Sequence, residues 1–161
     1  MLDYYNGSFL YNYHGGNTYY KGKNLKYHCD QGFIKSDTDI LCVTQNSTNS
    51  FYNDLISINQ QTLTESSLYS PQNAITAVYY SNNTLYAGEY NYTSHKPYIS
   101  INYKKTEVKN YVNIIYPMNN NMYASTFKND NDKLTASYSE ISTINNTVEL
   151  KFIQEDNISF Y

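Results

Sequence analysis

Residues 98–104 read Tyr98-Ile-Ser-Ile-Asn-Tyr-Lys104 and put Ile99, Ile101 and Tyr103 on one side, with Ser100, Asn102 and Lys104 on the other. Strict alternation of this kind is the signature of a half-buried β-strand, because successive side chains of an extended chain point to opposite faces. The same period recurs at 25–29, 40–44, 54–58, 75–80, 84–90, 108–116, 122–127, 133–138, 148–153 and 158–161. β-Branched and aromatic residues fill these runs, as a pleated surface favours. About ten short strands at regular spacing predict an all-β chain, a single antiparallel β-sandwich.

Between the runs lie short polar clusters: Ser81-Asn-Asn83, Asn119-Asn-Asn121 and Lys128-Asn-Asp-Asn-Asp132. Asn and Asp tolerate the left-handed backbone that tight hairpins demand. A weak helical candidate covers 60–70, where Thr62 and Thr64 are poor helix formers and Pro71 prevents continuation. Residues 74–88 also resemble 112–125: each is a β-run, an Asn-rich turn, then an apolar residue, Tyr, Ala and a small residue. That pattern is propeller-like. The chain is short for four or more blades, so we expect two similar hairpins within one sandwich.

Tyrosine decides that the chain folds. Mean hydropathy is -0.66, which alone would suggest disorder, yet aromatics make up 17% of the 161 residues against 16% charged. The 21 Tyr rings supply core area while their hydroxyls meet water or backbone. A net charge of -3, with every basic residue a Lys and no Arg, argues against a nucleic-acid partner. No apolar run is long enough to span a bilayer, so we expect no membrane span in this chain.

Export is the expectation from three features. N-glycosylation acceptor patterns occur at Asn6, Asn46, Asn82, Asn91, Asn145 and Asn157. Of these, Asn46, Asn82 and Asn145 sit in turn-like polar clusters and should be occupied ahead of Asn157. Cys29 and Cys42 form an even pair and are expected to be oxidised to a disulfide linking two neighbouring strands. The start, Met1-Leu-Asp-Tyr-Tyr5, lacks the basic and apolar stretches of a signal peptide, and we expect that such a signal has been removed.

Tests for chemistry yield little. There is no phosphate-cradling glycine loop, no His-Glu-x-x-His and no Gly-x-Ser-x-Gly elbow. His28, Cys29 and Asp30, with His14 as the one local addition, lack the spacing of a zinc site, and adjacent His28 and Cys29 would point to opposite faces of a strand. The scattered carboxylates Glu65, Glu89, Glu107, Glu140, Glu149, Glu155, Asp130 and Asp132 read as solvated strand faces and turns. We expect no catalytic residues, no metal, no cofactor and no enzyme activity.

Ser8-Phe-Leu-Tyr-Asn-Tyr13 stands apart as an aromatic strand followed by Gly15-Gly16, a hinge. Residues 1–16 are read as a strand arm and 17–161 as the sandwich domain. Phe9, Tyr11 and Tyr13 share one face and, with Leu10, are candidates for donation into the open groove of another copy. The competing reading keeps this strand in its own sheet and assigns the exposed tyrosines to binding.

Two resemblances bear on function. Tyr27-His-Cys29-Asp-Gln-Gly32-Phe33 with Ile40-Leu-Cys42 resembles the middle of a sushi (complement-control) module. That family's other two cysteines and its tryptophan are missing, which leaves a local disulfide hairpin. The whole chain is similar in composition and β-character to glycosylated surface-filament subunits of the archaeal thread type. That resemblance implies an extracellular structural subunit of a filament or pilus, polymerising head to tail with copies of itself by donor-strand exchange. The alternative is a secreted or viral surface glycoprotein that binds a host protein or glycan through exposed tyrosines.

Overall fold

The computed structural model describes residues 3–13, 16–130, 133–144 and 147–158. Among them it has sixteen strands and no helix. The first sheet comprises β1 (Asp3–Tyr5), β2 (Ser8–Asn12), β3 (Thr18–Tyr20) and β4 (Lys23–Asn24). The second comprises β5 (Gln31–Ile34), β6 (Asp39–Gln45), β7 (Asn53–Asn59) and β8 (Thr64–Tyr69). The third holds β9 (Ala74–Ser81), β10 (Thr84–Asn91), β11 (Lys96–Ile101) and β12 (Lys104–Glu107). The fourth holds β13 (Tyr111–Met118), β14 (Asn121–Asp130), β15 (Lys133–Ile144) and β16 (Thr147–Ile158).

The all-β expectation holds, but the single sandwich does not. Each sheet is a four-stranded antiparallel meander in chain order, the blade type from which β-propellers are built, and among the described residues no strand pairs outside its own four. Local backbone features accompany two of the breaks, those before β9 and β5. Pro71 lacks an N–H and Gln72 has a positive φ of 56° in the connection before β9. Before β5, Lys26 sits at φ 64°, so residues 25–29 form an irregular connector and not the expected strand. The length argument against four blades fails because strands of two to four residues suffice at sheet edges.

Asparagine builds the turns in two ways. Two-residue hairpin turns at Asn6-Gly7, Lys21-Gly22, Asn82-Asn83, Asn102-Tyr103 and Asn119-Asn120 all have positive φ at both positions, as type I′ turns require. Residues 98–104 therefore end as a strand at Ile101, and Tyr103 is an exposed turn residue. In longer loops an Asn side chain caps the backbone: Asn59 Oδ1 accepts from Gln61 N (3.0 Å) and Thr62 N (3.1 Å). The expected helix at 60–70 is this turn followed by β8, with Leu63 at φ 56°.

The chain divides into two compact units, Met1–Asn73 and Ala74–Tyr161, each containing two sheets. In the first, Leu10, Tyr20, Leu25, Ile40 and Ile58 are fully buried around Cys29 and Cys42, which form a disulfide. Cys42 lies in β6, whereas Cys29 lies in the connector ahead of β5 and not in a strand. Asn12 and Thr18 hold that connector. Asn12 Nδ2 donates to the Cys29 carbonyl (2.9 Å), Cys29 N donates to Thr18 Oγ1 (2.9 Å), and Thr18 Oγ1 donates to Asn12 Oδ1 (2.6 Å). In the second unit Ile99, Val112, Ile115 and Ala124 form the core. The resembling stretches 74–88 and 112–125 fall on the first two strands of the third and fourth sheets, so the internal repeat is a blade repeat. Among the described residues no helix is long and apolar enough to cross a membrane.

Candidate functional site

β2 occupies an inner position of the first sheet, paired with β1 on one side and β3 on the other. Its period-2 pattern sends Leu10 into the core of the first unit, fully buried, while Phe9, Tyr11 and Tyr13 stay 52%, 37% and 69% exposed. The expected common face of these three aromatics is therefore a solvent face, and Leu10 is not part of it.

Register completes the surface. Tyr4 lies opposite Phe9, with ring centroids 4.8 Å apart and planes tilted 40°. Tyr11 lies opposite Tyr19, centroids 5.7 Å apart and planes 14° from parallel. Tyr13 meets Tyr19 edge-on at 6.5 Å. Cross-strand aromatic pairs of this kind stabilise a sheet face, and they also pre-order the rings for contact with a partner. Asn24 Nδ2 donates to the Tyr19 hydroxyl (3.3 Å), fixing one polar end of the patch. Tyr20, in the same tyrosine-rich stretch, points the other way and is fully buried. Sequence alone groups Phe9, Tyr11 and Tyr13; the partners Tyr4 and Tyr19 need the strand register.

The Gly15 half of the expected hinge and His14 lie outside the described residues. Gly16 N donates to the Tyr13 carbonyl (2.9 Å), and the Gly16 carbonyl accepts from His28 Nδ1 (2.7 Å). His28 Nε2 stands 3.7 Å from Asp30 Oδ1. These contacts tie the segment after β2 to the connector that carries Cys29.

The acceptor asparagines differ in setting. Asn6 and Asn82 are exposed at the first positions of type I′ turns. Asn46 is half-buried: its Nδ2 donates to both Asp54 carboxylate oxygens (3.0 and 2.9 Å), while its Oδ1 accepts from Thr48 N (2.9 Å) and Asn49 N (3.0 Å). Asn91 Oδ1 caps Thr93 N (3.0 Å) and Ser94 N (2.8 Å). Asn157 is a backbone partner of Thr135 within the β15–β16 ladder. Asn145 lies outside the described residues.

Among the carboxylates, Glu89 departs from the expected solvated position. It is fully buried and paired with Lys105 Nζ at 3.0 Å. Glu107 pairs with Lys96 (2.7 Å) at the surface. Glu65 accepts a hydrogen bond from the Tyr27 phenol, which, with partial burial, raises that phenol above the ordinary tyrosine range. Among the described residues no group of three His, Cys, Asp or Glu converges to hold a metal ion. No protein-family model matches the chain, and no curated protein matches it in sequence.

Proposed function

We propose that the protein is an extracellular N-glycosylated binding protein that engages a protein or glycan on another surface through the aromatic face of its first sheet. The observation that carries this reading is the patch of Tyr4, Phe9, Tyr11 and Tyr13, all at least 37% exposed, with Phe9 and Tyr11 on β2, which is paired on both sides within its own sheet. Large aromatics left in water on a rigid sheet mark interaction surfaces. Tyrosine gives contact area at low entropic cost and a hydroxyl for polar recognition. The Cys29–Cys42 disulfide fits an oxidising compartment. Screening the full chain on glycan and surface-protein arrays tests the reading. Binding should be lost in the Tyr11→Ser/Tyr13→Ser variant and kept in Tyr103→Ser, an exposed tyrosine elsewhere. Hits indifferent to the double variant would refute it.

A second reading, a filament subunit assembling by β-strand addition, draws on β16. This twelve-residue strand is the last of its sheet, and it carries exposed Phe152 and Ile153. A sheet-edge strand of that length is a template for another strand. Negative-stain imaging of native material separates the readings: fibres support assembly, and discrete particles at every concentration count against it.

A further inference from the structure

The first hairpin turns of the third and fourth sheets flank one cleft. Asn82-Asn83 joins β9 to β10 and Asn119-Asn120 joins β13 to β14; both are type I′ turns at equivalent places in the blade repeat. The cleft between them, inside the compact second unit, holds about 550 Å³. That volume lies in the usual range of small-molecule sites. Asn82 and Thr84 line it from the third sheet, and Met118, Asn119, Asn120 and Asn121 line it from the fourth. Tyr86 and Met122, which pack against the core of this unit, line it as well. Met118 is 47% exposed, an apolar side chain left in water beside exposed amides.

Asn82 and Thr84 are also the first and third residues of an N-glycosylation acceptor pattern, and Asn82 is exposed. The cleft therefore carries a sugar attachment point on its own rim. We infer that this cleft is the seat of the glycan borne by Asn82, whose innermost sugars cross from the third sheet to the fourth. The inference rests on the N-glycosylation in the reading above and is independent of the tyrosine face. In that modification Asn82 Nδ2 loses one proton and bonds the anomeric carbon of the first sugar, displacing the phosphate of a lipid-linked sugar donor. The C–H face of the sugar then lies on Met118 and Tyr86. Its hydroxyls exchange hydrogen bonds with the side-chain amides of Asn119, Asn120 and Asn121, each of which offers both a donor and an acceptor. Attachment makes these contacts intramolecular, at an effective concentration on the order of millimolar, so contacts too weak to hold a free sugar suffice.

The test is NMR of the intact glycoprotein with labelled methionine methyls, together with glycosidase trimming followed by glycopeptide mass spectrometry. We expect nuclear Overhauser contacts between sugar C–H protons and the methyls of Met118 and Met122. Met118→Ser should speed trimming of the Asn82 glycan by about fivefold, the scale of one lost apolar contact. The methyl contacts are read on the unaltered chain and decide alone should the variant misfold. An Asn82 that carries a glycan with no contact to either methionine, or that is trimmed at the same rate in the folded variant, would overturn the seat and leave the extracellular reading standing. A bare Asn82 in native material would overturn the seat and the glycosylation at this site together. Binding through the tyrosine face would be untouched by either result.

Discussion

Gly88 in β10 lies so close to Val112 in β13 that a Cβ on the glycine would stand 2.7 Å from both Val112 Cβ and Cγ1. Thr76 Oγ1, in the adjacent strand, donates to the Val112 carbonyl at 2.6 Å, so the valine is held from two directions. The third and fourth sheets meet here because one residue has no side chain. Gly88→Ala should therefore destabilise the fold by about 1–3 kcal/mol, the usual cost of overpacking. Urea unfolding checks this, and an unchanged midpoint would mean that the two sheets do not approach this closely.

The disulfide should be worth about 3 kcal/mol in the chain-entropy account of a loop this size. Reducing agent, or Cys29→Ser/Cys42→Ser, should lower the melting temperature accordingly. Alkylation of the untreated, denatured protein should label no thiol.

Stability should fall in alkali. Burial raises the Tyr111 phenol, with Tyr92 and Tyr90 adding to it, and burial likewise raises Tyr116. The folded state thus keeps these phenols neutral after the unfolded chain begins to ionise. Their contribution is complete below about pH 10 and is lost as pH rises through the raised folded values. Melting curves across that range should show the decline, and Tyr111→Phe should make it shallower. An identical slope in the variant would contradict the assignment.

Glycan occupancy should follow side-chain freedom. Asn82 is exposed in a two-residue turn, whereas Asn46 is bound to Asp54 through its own Nδ2, the atom to which a sugar would attach. Glycopeptide mass spectrometry should find Asn82 more fully occupied than Asn46, a distinction between two turn sites that the sequence alone ranks together. Equal occupancy would show that Asn46 is modified before its contacts form.

Local patterning carried much of this into the sequence. Alternation located most of the longer strands, and the Asn-Asn pairs at 82–83 and 119–120 located turns that do adopt left-handed backbone. What it could not carry is which hairpins share a ladder. A sandwich and four separate meanders use the same strands and turns, and they differ only in where pairing stops. Strands such as β3, β4 and β12 are also too short to show a period. At 25–29 the alternation was genuine but Lys26 turns the chain left-handed, and Glu89 looked like a surface charge because Lys105, its partner, comes from another strand. On the aromatic face, the period grouped Phe9, Tyr11 and Tyr13, while Tyr4 and Tyr19 join them only through register.

The central claim is that residues 8–12 are an inner strand of their own sheet, presenting Phe9 and Tyr11 outward. Hydrogen exchange of the Phe9, Leu10 and Tyr11 amides in dilute protein tests it most directly. The account predicts protection in the monomer that does not change with protein concentration. Free exchange in the monomer, with protection appearing only on self-association, would contradict it and restore strand donation.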